Sequence, residues 1–211
     1  MPVGNILAFA VTAVVIVAIP GPSVLFTISR ALTVGRRSAL LTVVGNAVGV
    51  YAQVVAAAFG MGAVVERSAV VFTVVKYVGA GYIIYLGGQA IRHRRSMVES
   101  LSKRAAPVTP LRALRDGVIV GATNPKTIVV FVAVMPGFAD PALGHLPLQL
   151  LLLGALFPIS GLALDSVWAI AAGTARAWLA RSPRRLAAIG GSGGLVMIGL
   201  GAGLAITGRR T

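Results

Sequence analysis

Residues 92–116 read RHRRSMVESLSKRAAPVTPLRALRD, which is the longest polar stretch in the chain of 211 residues. Three apolar blocks precede this stretch and three follow it. A helix needs about 20 apolar residues to cross a hydrocarbon core of about 30 Å. We therefore predict an all-helical integral membrane protein with six spans, at residues 5–29, 39–62, 69–91, 117–138, 147–173 and 187–207.

Loops rich in Lys and Arg alternate with loops that have few. The loops after the first, third and fifth blocks contain 14 of the 19 Lys and Arg residues. Because cytoplasmic loops collect basic residues, these three loops are predicted to face the cytoplasm, with both chain termini outside. The 14 residues are Arg30, Arg36, Arg37, Arg92, Arg94, Arg95, Lys103, Arg104, Arg112, Arg115, Arg176, Arg181, Arg184 and Arg185.

The composition supports a membrane protein and argues against other classes. Charged residues make up 11% of the chain, against about 25% in soluble domains. The net charge of +14 would suit nucleic-acid binding, but the basic residues flank the apolar blocks, so anionic lipid headgroups are the expected counter-charge. The chain has no cysteine, which excludes disulfides and thiolate chemistry. We expect a lipid bilayer as its surroundings, and no nucleic acid, metal or cofactor.

The polar stretch divides a single membrane domain into a first half, residues 1–91, a cytoplasmic loop, residues 92–116, and a second half, residues 117–211. Three spans in each half give the halves opposite orientations, as an inverted-topology repeat requires. Each half opens with a proline-interrupted span, at Pro20-Gly21-Pro22 and at Asn124-Pro125-Lys126. Interruptions at corresponding places in two halves indicate a binding site near the bilayer midplane, a construction common in transporters.

Pro20-Gly21-Pro22 is predicted to break the first span. The two prolines remove two backbone donors and Gly21 permits non-helical dihedral angles, so carbonyl groups of the preceding turn lose their helical partners. Such groups persist in a membrane where they are buried in protein or line a cavity. We predict that this break contacts a substrate, together with the Ser23 hydroxyl, and a simple kink is the alternative.

Lys126 is predicted to lie near the midplane of the fourth span, directly after the break at Asn124-Pro125. A charge at that depth is unfavourable, so the ammonium group needs a partner or a function. We predict that it binds a substrate carboxylate, and a structural ion pair is the alternative. Pro136-Gly137 is a second candidate for the counterpart of the first break.

Asp165 is the acidic residue that lies deep in a predicted span. Its expected partner is Lys126 or a proton, because a low-dielectric environment disfavours an ionised carboxylate. It is therefore a candidate proton carrier, and a static bond to Trp168 or to a backbone amide is the alternative. Asn46 has a similar predicted depth, so Pro20, Asn46, Lys126 and Asp165 are expected to meet, one from each of four spans.

Small residues predict close helix packing. Gly45 and Gly49 form a small-xxx-small pair in the second span, and glycine lets helix backbones approach closely. Gln53, one turn further along, is expected to hydrogen-bond a neighbouring helix. The sixth span contains seven glycines, for which we expect close packing, with a homodimer face or a moving seam as alternatives.

Three stretches carry a family resemblance: PGPSVLFTISRALTVGRRSALLTVVGNAVG at 20–49, KYVGAGYIIYLGGQAIR at 76–92 and DGVIVGATNPKTIVVFVAVMPGF at 116–138. Together they resemble the lysine-exporter (LysE/RhtB) family of bacterial amino-acid efflux proteins. The resemblance implies export of amino acids or small derivatives across the bacterial cytoplasmic membrane, driven by the proton motive force. The positions that match the family's characteristic residues are Pro20, Gly21, Pro22, Gly45, Gly49, Asn124, Pro125 and Lys126.

A secondary transporter with proton antiport is the preferred interpretation, and no catalytic or metal-binding residue is predicted. A passive channel and an intramembrane enzyme are the alternatives; an enzyme would need Asp165 and Lys126 as its acid and base. Asp165 is the predicted proton-coupling residue. The predicted substrate-binding residues are Pro20, Gly21, Pro22, Ser23, Asn46, Asn124, Pro125 and Lys126.

Overall fold

The computed structural model describes residues 1–65 and 108–175 continuously, and separate positions between 74 and 92 and between 178 and 202. The predicted third and sixth spans, most of the central loop and the loop after the fifth span therefore lie wholly or partly outside the described residues. This includes the glycine-rich face of the sixth span.

All regular secondary structure in the described residues is helical, which confirms the predicted class. The fifth α-helix is short and continues through a π-helical turn, Val130–Val134, into a 3-10 helix, Met135–Phe138. A further 3-10 helix, Pro141–Leu143, precedes the last long helix. The α-helices are α1 (Val3–Ala18), α2 (Pro22–Thr33), α3 (Arg36–Val65), α4 (Pro110–Ala122), α5 (Pro125–Val129) and α6 (Leu146–Thr174).

The chain leaves helical geometry between α1 and α2 because two residues there each precede a proline, a position that disfavours the α region. Ile19 is extended, with φ −76° and ψ 120°, and so is Gly21, with φ −109° and ψ −169°. Pro22 then opens α2, where its missing N–H group would have had no helical acceptor. The axes of α1 and α2 are bent by 47°.

The same local chemistry bends the second half at Asn124. This residue precedes Pro125 and is extended, with φ −68° and ψ 112°, and its side chain caps α5 by accepting a bond from the Lys126 N–H group. The helical segments Pro110–Ala122 and Pro125–Phe138 are bent by 40°. Each bent pair is followed by a long helix, α3 in the first half and α6 in the second.

The fourth helix starts earlier than predicted. The sequence pattern assigned residues up to 116 to the cytoplasmic loop, but α4 begins at Pro110. The Thr109 side chain caps the helix by accepting a bond from the Arg112 N–H group at 3.4 Å. One face of this first turn is buried against α3, where the Thr42 hydroxyl donates to the Ala113 carbonyl at 3.3 Å. Only one face of the helix is apolar at this end, so the sequence has no long hydrophobic run from which the start of the helix could be predicted.

Four glycines bring α3 and α4 into backbone contact. A Cβ atom at Gly45 or Gly49 would overlap the carbonyl oxygen of Leu114 or Val118 on α4. Reciprocally, Cβ atoms at Gly117 and Gly121 would overlap the carbonyl oxygens of Thr42 and Asn46 on α3. The crossing is therefore built from two facing small-xxx-small pairs, of which the sequence analysis identified the one on α3.

An ion pair joins the two halves at the end of α2. The Arg30 guanidinium lies 2.7 Å from the Asp116 carboxylate on α4, and its Cζ atom lies 5.1 Å from the centroid of the Phe26 ring. The sequence pattern assigned Arg30 to the first cytoplasmic loop, but it is in the last turn of α2 and is buried. The salt bridge to Asp116 compensates the positive charge of Arg30, which explains how a buried guanidinium is accommodated here.

Buried apolar side chains form two clusters, one on each side of a polar layer. Along α3, Ala39 and Val43 belong to one cluster, Asn46 to the layer, and Val50 and Val54 to the other cluster. The larger cluster is built around Phe9, Phe131, Met135, Leu150, Leu153 and Phe157. The smaller cluster is built around Val24, Ile28, Ala31, Leu32, Ala169 and Ala172.

Two described helices are long and apolar enough to cross a membrane, α6 and the Arg36–Gly60 part of α3. The number of candidate spans in the described residues rises to four if each bent pair crosses as one.

Gly49→Ala tests the backbone contact between α3 and α4. The added methyl group forces the helices apart, and overpacking of this kind typically lowers the free energy of unfolding by about 1–3 kcal/mol. We expect a lower thermal midpoint for the purified variant in detergent. The matched control is Gly60→Ala on the same helix, where no described atom lies within 4 Å of the new Cβ. Equal midpoints for both variants would contradict the close crossing.

Candidate functional site

A small cavity lies in the polar layer, between both helix breaks and the two long helices. Its volume is about 20 Å³, which is room for about one water molecule. Six of the predicted site residues line it: Gly21, Ser23, Asn46, Asn124, Lys126 and Asp165. The other lining residues are Val17, Val24, Ala47, Val50, Thr127, Phe157, Pro158 and Gly161.

Three predicted site residues do not line the cavity. Pro20 and Pro125 are partly buried and Pro22 is exposed. Their role in the structure is to end one helix and begin the next, as the backbone angles at Ile19, Gly21 and Asn124 show. They shape the site through the backbone and not through side-chain contact.

Lys126 caps the end of α1. Its side chain is 4% exposed, and its ammonium group donates to the carbonyl oxygens of Ile16 and Ile19, each at 3.1 Å. These carbonyls belong to the turn that Pro20 leaves without amide partners, and the negative end of a helix dipole favours a cation. The break in α1 and the buried lysine therefore satisfy each other.

Glycine at position 21 leaves room for the lysine stem. A Cβ atom on Gly21 would lie 3.1 Å from Nζ, 3.2 Å from Cε and 3.3 Å from Cδ of Lys126. These separations are tighter than ordinary van der Waals contact, so a side chain here would require the lysine to shift.

The alternative interpretation of Lys126, an ion pair with Asp165, is not observed within 4.0 Å in this structure. Among the described residues, the ion pairs within 4.0 Å are Arg30–Asp116 and Arg115–Asp116. The freed carbonyls of α1 attract the lysine instead, because two buried carbonyl oxygens without donors would each be strongly unfavourable. The prediction that these carbonyls contact a substrate is accordingly modified, since Lys126 already binds two of them.

Gln53 binds backbone carbonyls at the second break, as Lys126 does at the first. From α3, its amide group donates to the carbonyls of Ala122 at 2.8 Å and Asn124 at 3.2 Å. The predicted interhelical bond of Gln53 is thereby confirmed. Each break is capped by a side chain from the other half: Lys126 of the second half caps the first break, and Gln53 of the first half caps the second.

A chain of side-chain hydrogen bonds joins the two breaks directly. Asn124 donates to the Ser23 hydroxyl at 2.7 Å and accepts from the Lys126 N–H group at 3.0 Å. The Thr127 hydroxyl donates to Oε1 of the Gln53 side chain at 2.6 Å. Thr127 was not among the predicted site residues, although it directly follows Asn124-Pro125-Lys126 in the sequence. The network fixes the start of α5 against the start of α2.

Asp165 is a buried polar residue that lies outside this network. It is 4% exposed, and Oδ2 accepts a long bond from the Asn46 amide at 3.5 Å. Within the described residues, Oδ1 of Asp165 and Oδ1 of Asn46 have no hydrogen-bond partner. The alternatives of a static bond to Trp168 or to a backbone amide are therefore not observed. Two acceptor oxygens in the cavity wall are available to a ligand that donates hydrogen bonds.

The start of α2 gives the cavity an electropositive wall. Gly21 has no side chain to cap this helix of 12 residues, so the N–H groups of Ser23 and Val24 in its first turn have no helical acceptor. Both residues line the cavity, and a helix N-terminus favours negative charge or a carbonyl oxygen. The site thus pairs acceptors at Asp165 and Asn46 with donors at the start of α2.

The chain is similar to known membrane proteins over most of its length. The model of the family described as LysE type translocator matches residues 14–208. An uncharacterized membrane protein of Vibrio cholerae is 38% identical over 148 residues, which cover 70% of this chain and 71% of that protein. The membrane protein YrhP of Bacillus subtilis is 30% identical over 164 residues, or 74% of this chain and 77% of its own length.

A third relative matches over nearly the full length. The homoserine/homoserine lactone efflux protein of Salmonella typhimurium is 28% identical over 198 residues, which cover 94% of each chain. No solved structure matches the chain significantly.

Lys126→Met tests whether the lysine stabilises the first break. The variant keeps the length of the side chain but leaves the carbonyls of Ile16 and Ile19 buried without a donor, at about 1–3 kcal/mol each. We expect a marked fall in the thermal midpoint of the purified protein. The control is Ile128→Met, which places the same residue at an exposed position of the same segment and should unfold like the wild type. A Lys126→Met variant as stable as this control would show that the capping bonds do not stabilise the fold.

Proposed function

This chain belongs to the LysE type translocator family, and we propose that it exports amino acids or small amino-acid derivatives from the cytoplasm in exchange for protons. The resemblance seen in the sequence is thus confirmed, and the chain is a membrane transporter and not an enzyme. The observation that carries the proposal is the buried Asp165 carboxyl, which lies in a cavity between two helix breaks and whose Oδ1 atom has no hydrogen-bond partner among the residues that the structure describes.

The polar groups of the cavity match the two ends of an amino acid. An ammonium group fits the free acceptors of Asp165 and Asn46, because buried acceptors gain most from a charged donor. A carboxylate or an ester carbonyl fits the N–H groups of Ser23 and Val24 at the start of α2. A relative named for the efflux of homoserine and homoserine lactone supports a small substrate of this kind.

Proton coupling follows from competition for one carboxylate. Asp165 binds either a proton or the ammonium group of the substrate, because the protonated acid no longer offers a charge to the ammonium. Substrate entering from the cytoplasm displaces the proton inward, and a proton entering from outside displaces the substrate outward. One group then serves both ligands in turn, which is the requirement for obligatory exchange.

Access to the cavity must alternate between the two sides. A volume of about 20 Å³ is too small for an amino acid, so the described conformation does not hold the substrate. We propose that the larger apolar cluster forms the barrier on one side of the cavity, and the smaller cluster with the Arg30–Asp116 pair the barrier on the other. Rocking of one half against the other would open these two barriers in turn, as in other transporters with inverted repeats.

The proposed membrane arrangement has six spans, three from residues 1–91 and three from residues 117–211, joined by the loop 92–116. Each bent pair crosses the membrane as one broken span, and a long helix follows in both halves. This repetition of a bent pair and a long helix supports the inverted repeat. The protein lies in a bacterial inner membrane, with its basic loops on the cytoplasmic side and both termini outside. The glycine-rich sixth span is the candidate face for a homodimer.

Asp165→Asn tests the proposed role of the carboxyl in coupling. Loss of a charge-assisted bond of about 1.5–3 kcal/mol corresponds to at least about a tenfold loss of function. We expect efflux of labelled homoserine from proteoliposomes to fall by that factor and to lose its dependence on a proton gradient. A variant that elutes as a folded protein in gel filtration excludes misfolding as the cause.

Asp140→Asn is the matched control, because Asp140 lies outside the cavity and caps the short 3-10 helix before α6. It should export at the wild-type rate. Gradient-driven uphill efflux by the wild type separates a carrier from a passive channel. Unchanged, gradient-dependent efflux by Asp165→Asn would remove Asp165 from the mechanism.

A further inference from the structure

We infer, on the basis of the proposed export function, that the substrate carries a single positive charge, on its amine, and that diamino acids are excluded. The substrate class is then monoamino acids with uncharged side chains, together with their esters or lactones. The number of acidic residues in the chain, and the groups that each of them contacts, restrict how many positive charges the site can bind.

The chain contains five acidic residues, and of the three that the structure describes, Asp165 lines the cavity. Glu66 and Glu99 lie outside the six apolar blocks of the sequence. Asp116 is paired with Arg30 at 2.7 Å, and Asp140 accepts a bond from the Ala142 N–H group in the loop before α6. However the third and sixth spans pack, they bring no second carboxylate to the site, because the sequence gives them none.

The positive charge of Lys126 further restricts the cavity. Its ammonium group donates to the carbonyls of Ile16 and Ile19 and forms no ion pair with Asp165 within 4.0 Å, so one positive charge is already part of the wall. A second ammonium group on a substrate would be repelled by this charge and would find no second carboxylate of the protein to pair with. Burial of an unpaired cation is strongly unfavourable.

The remaining wall suits a side chain without charge. Val17, Val50, Phe157 and Pro158 line the cavity beside the polar groups, and they offer apolar contact only. At the other end of the substrate, the N–H groups of α2 can donate to a carboxylate and to an ester carbonyl alike, because both present acceptor oxygens. Free acids and lactones therefore both belong to the inferred class, and the charge of the side chain is what discriminates.

The test compares substrates that differ in one charge at nearly constant size. Homoserine and 2,4-diaminobutyrate differ by a hydroxyl against an ammonium group, and norleucine and lysine differ by the terminal ammonium group. Proteoliposomes with the full-length protein are loaded with one labelled compound at a time, and efflux is followed under an inward proton gradient. We expect the uncharged member of a transported pair to leave at least about tenfold faster.

The outcomes separate this inference from the proposed function. Export of 2,4-diaminobutyrate as fast as homoserine, or of lysine as fast as norleucine, would overturn the charge rule and leave amino-acid export standing. Efflux of none of the four compounds, from protein shown to be folded and inserted, would overturn the proposed export function and the rule together. Export of homoserine without norleucine supports the rule within a smaller size limit.

Discussion

The bond between the Lys126 ammonium group and the carbonyls of Ile16 and Ile19 is the interaction on which the rest of the arrangement depends. A broken helix buried in the membrane leaves carbonyl groups without donors, and a buried lysine leaves a charge without a partner. Either feature alone is strongly unfavourable. Together they form a cap that crosses from the second half to the first, and Gln53 crosses in the other direction to cap the second break.

The bond between Lys126 and the backbone carbonyls also leaves the Asp165 carboxyl available to bind a substrate or a proton. Because Lys126 binds backbone carbonyls, it forms no ion pair with Asp165 within 4.0 Å, and the Oδ1 atom of this buried residue has no hydrogen-bond partner in the described part of the chain. The proposed exchange of substrate and proton therefore depends on a carboxyl kept free by the helix break beside it. The same engagement of Lys126 leaves a positive wall, so the selectivity inferred for the side chain and the coupling proposed for the amine have one structural origin.

The sequence predicted those features whose signal is local. Helices end or begin at the prolines, as their backbone chemistry predicts, and five of the six polar residues in the cavity wall were predicted. Three motifs led to the correct family. The two carbonyls that Lys126 binds were not predicted, because every residue carries a carbonyl and only the three-dimensional break determines which ones lack donors. The start of α4 and the glycines at 117 and 121 were not selected, since their burial depends on the facing surface of α3.

Movement of protons during substrate efflux tests the central claim most directly. Proteoliposomes that enclose a pH-sensitive dye and homoserine, with no pH gradient at the start, are diluted into substrate-free buffer under voltage clamp by potassium and valinomycin. We predict that homoserine leaving the vesicles drives protons inward, so the interior acidifies at a rate proportional to efflux. Substrate efflux at the same rate without acidification would contradict proton exchange and with it the role of Asp165 as the shared binding group.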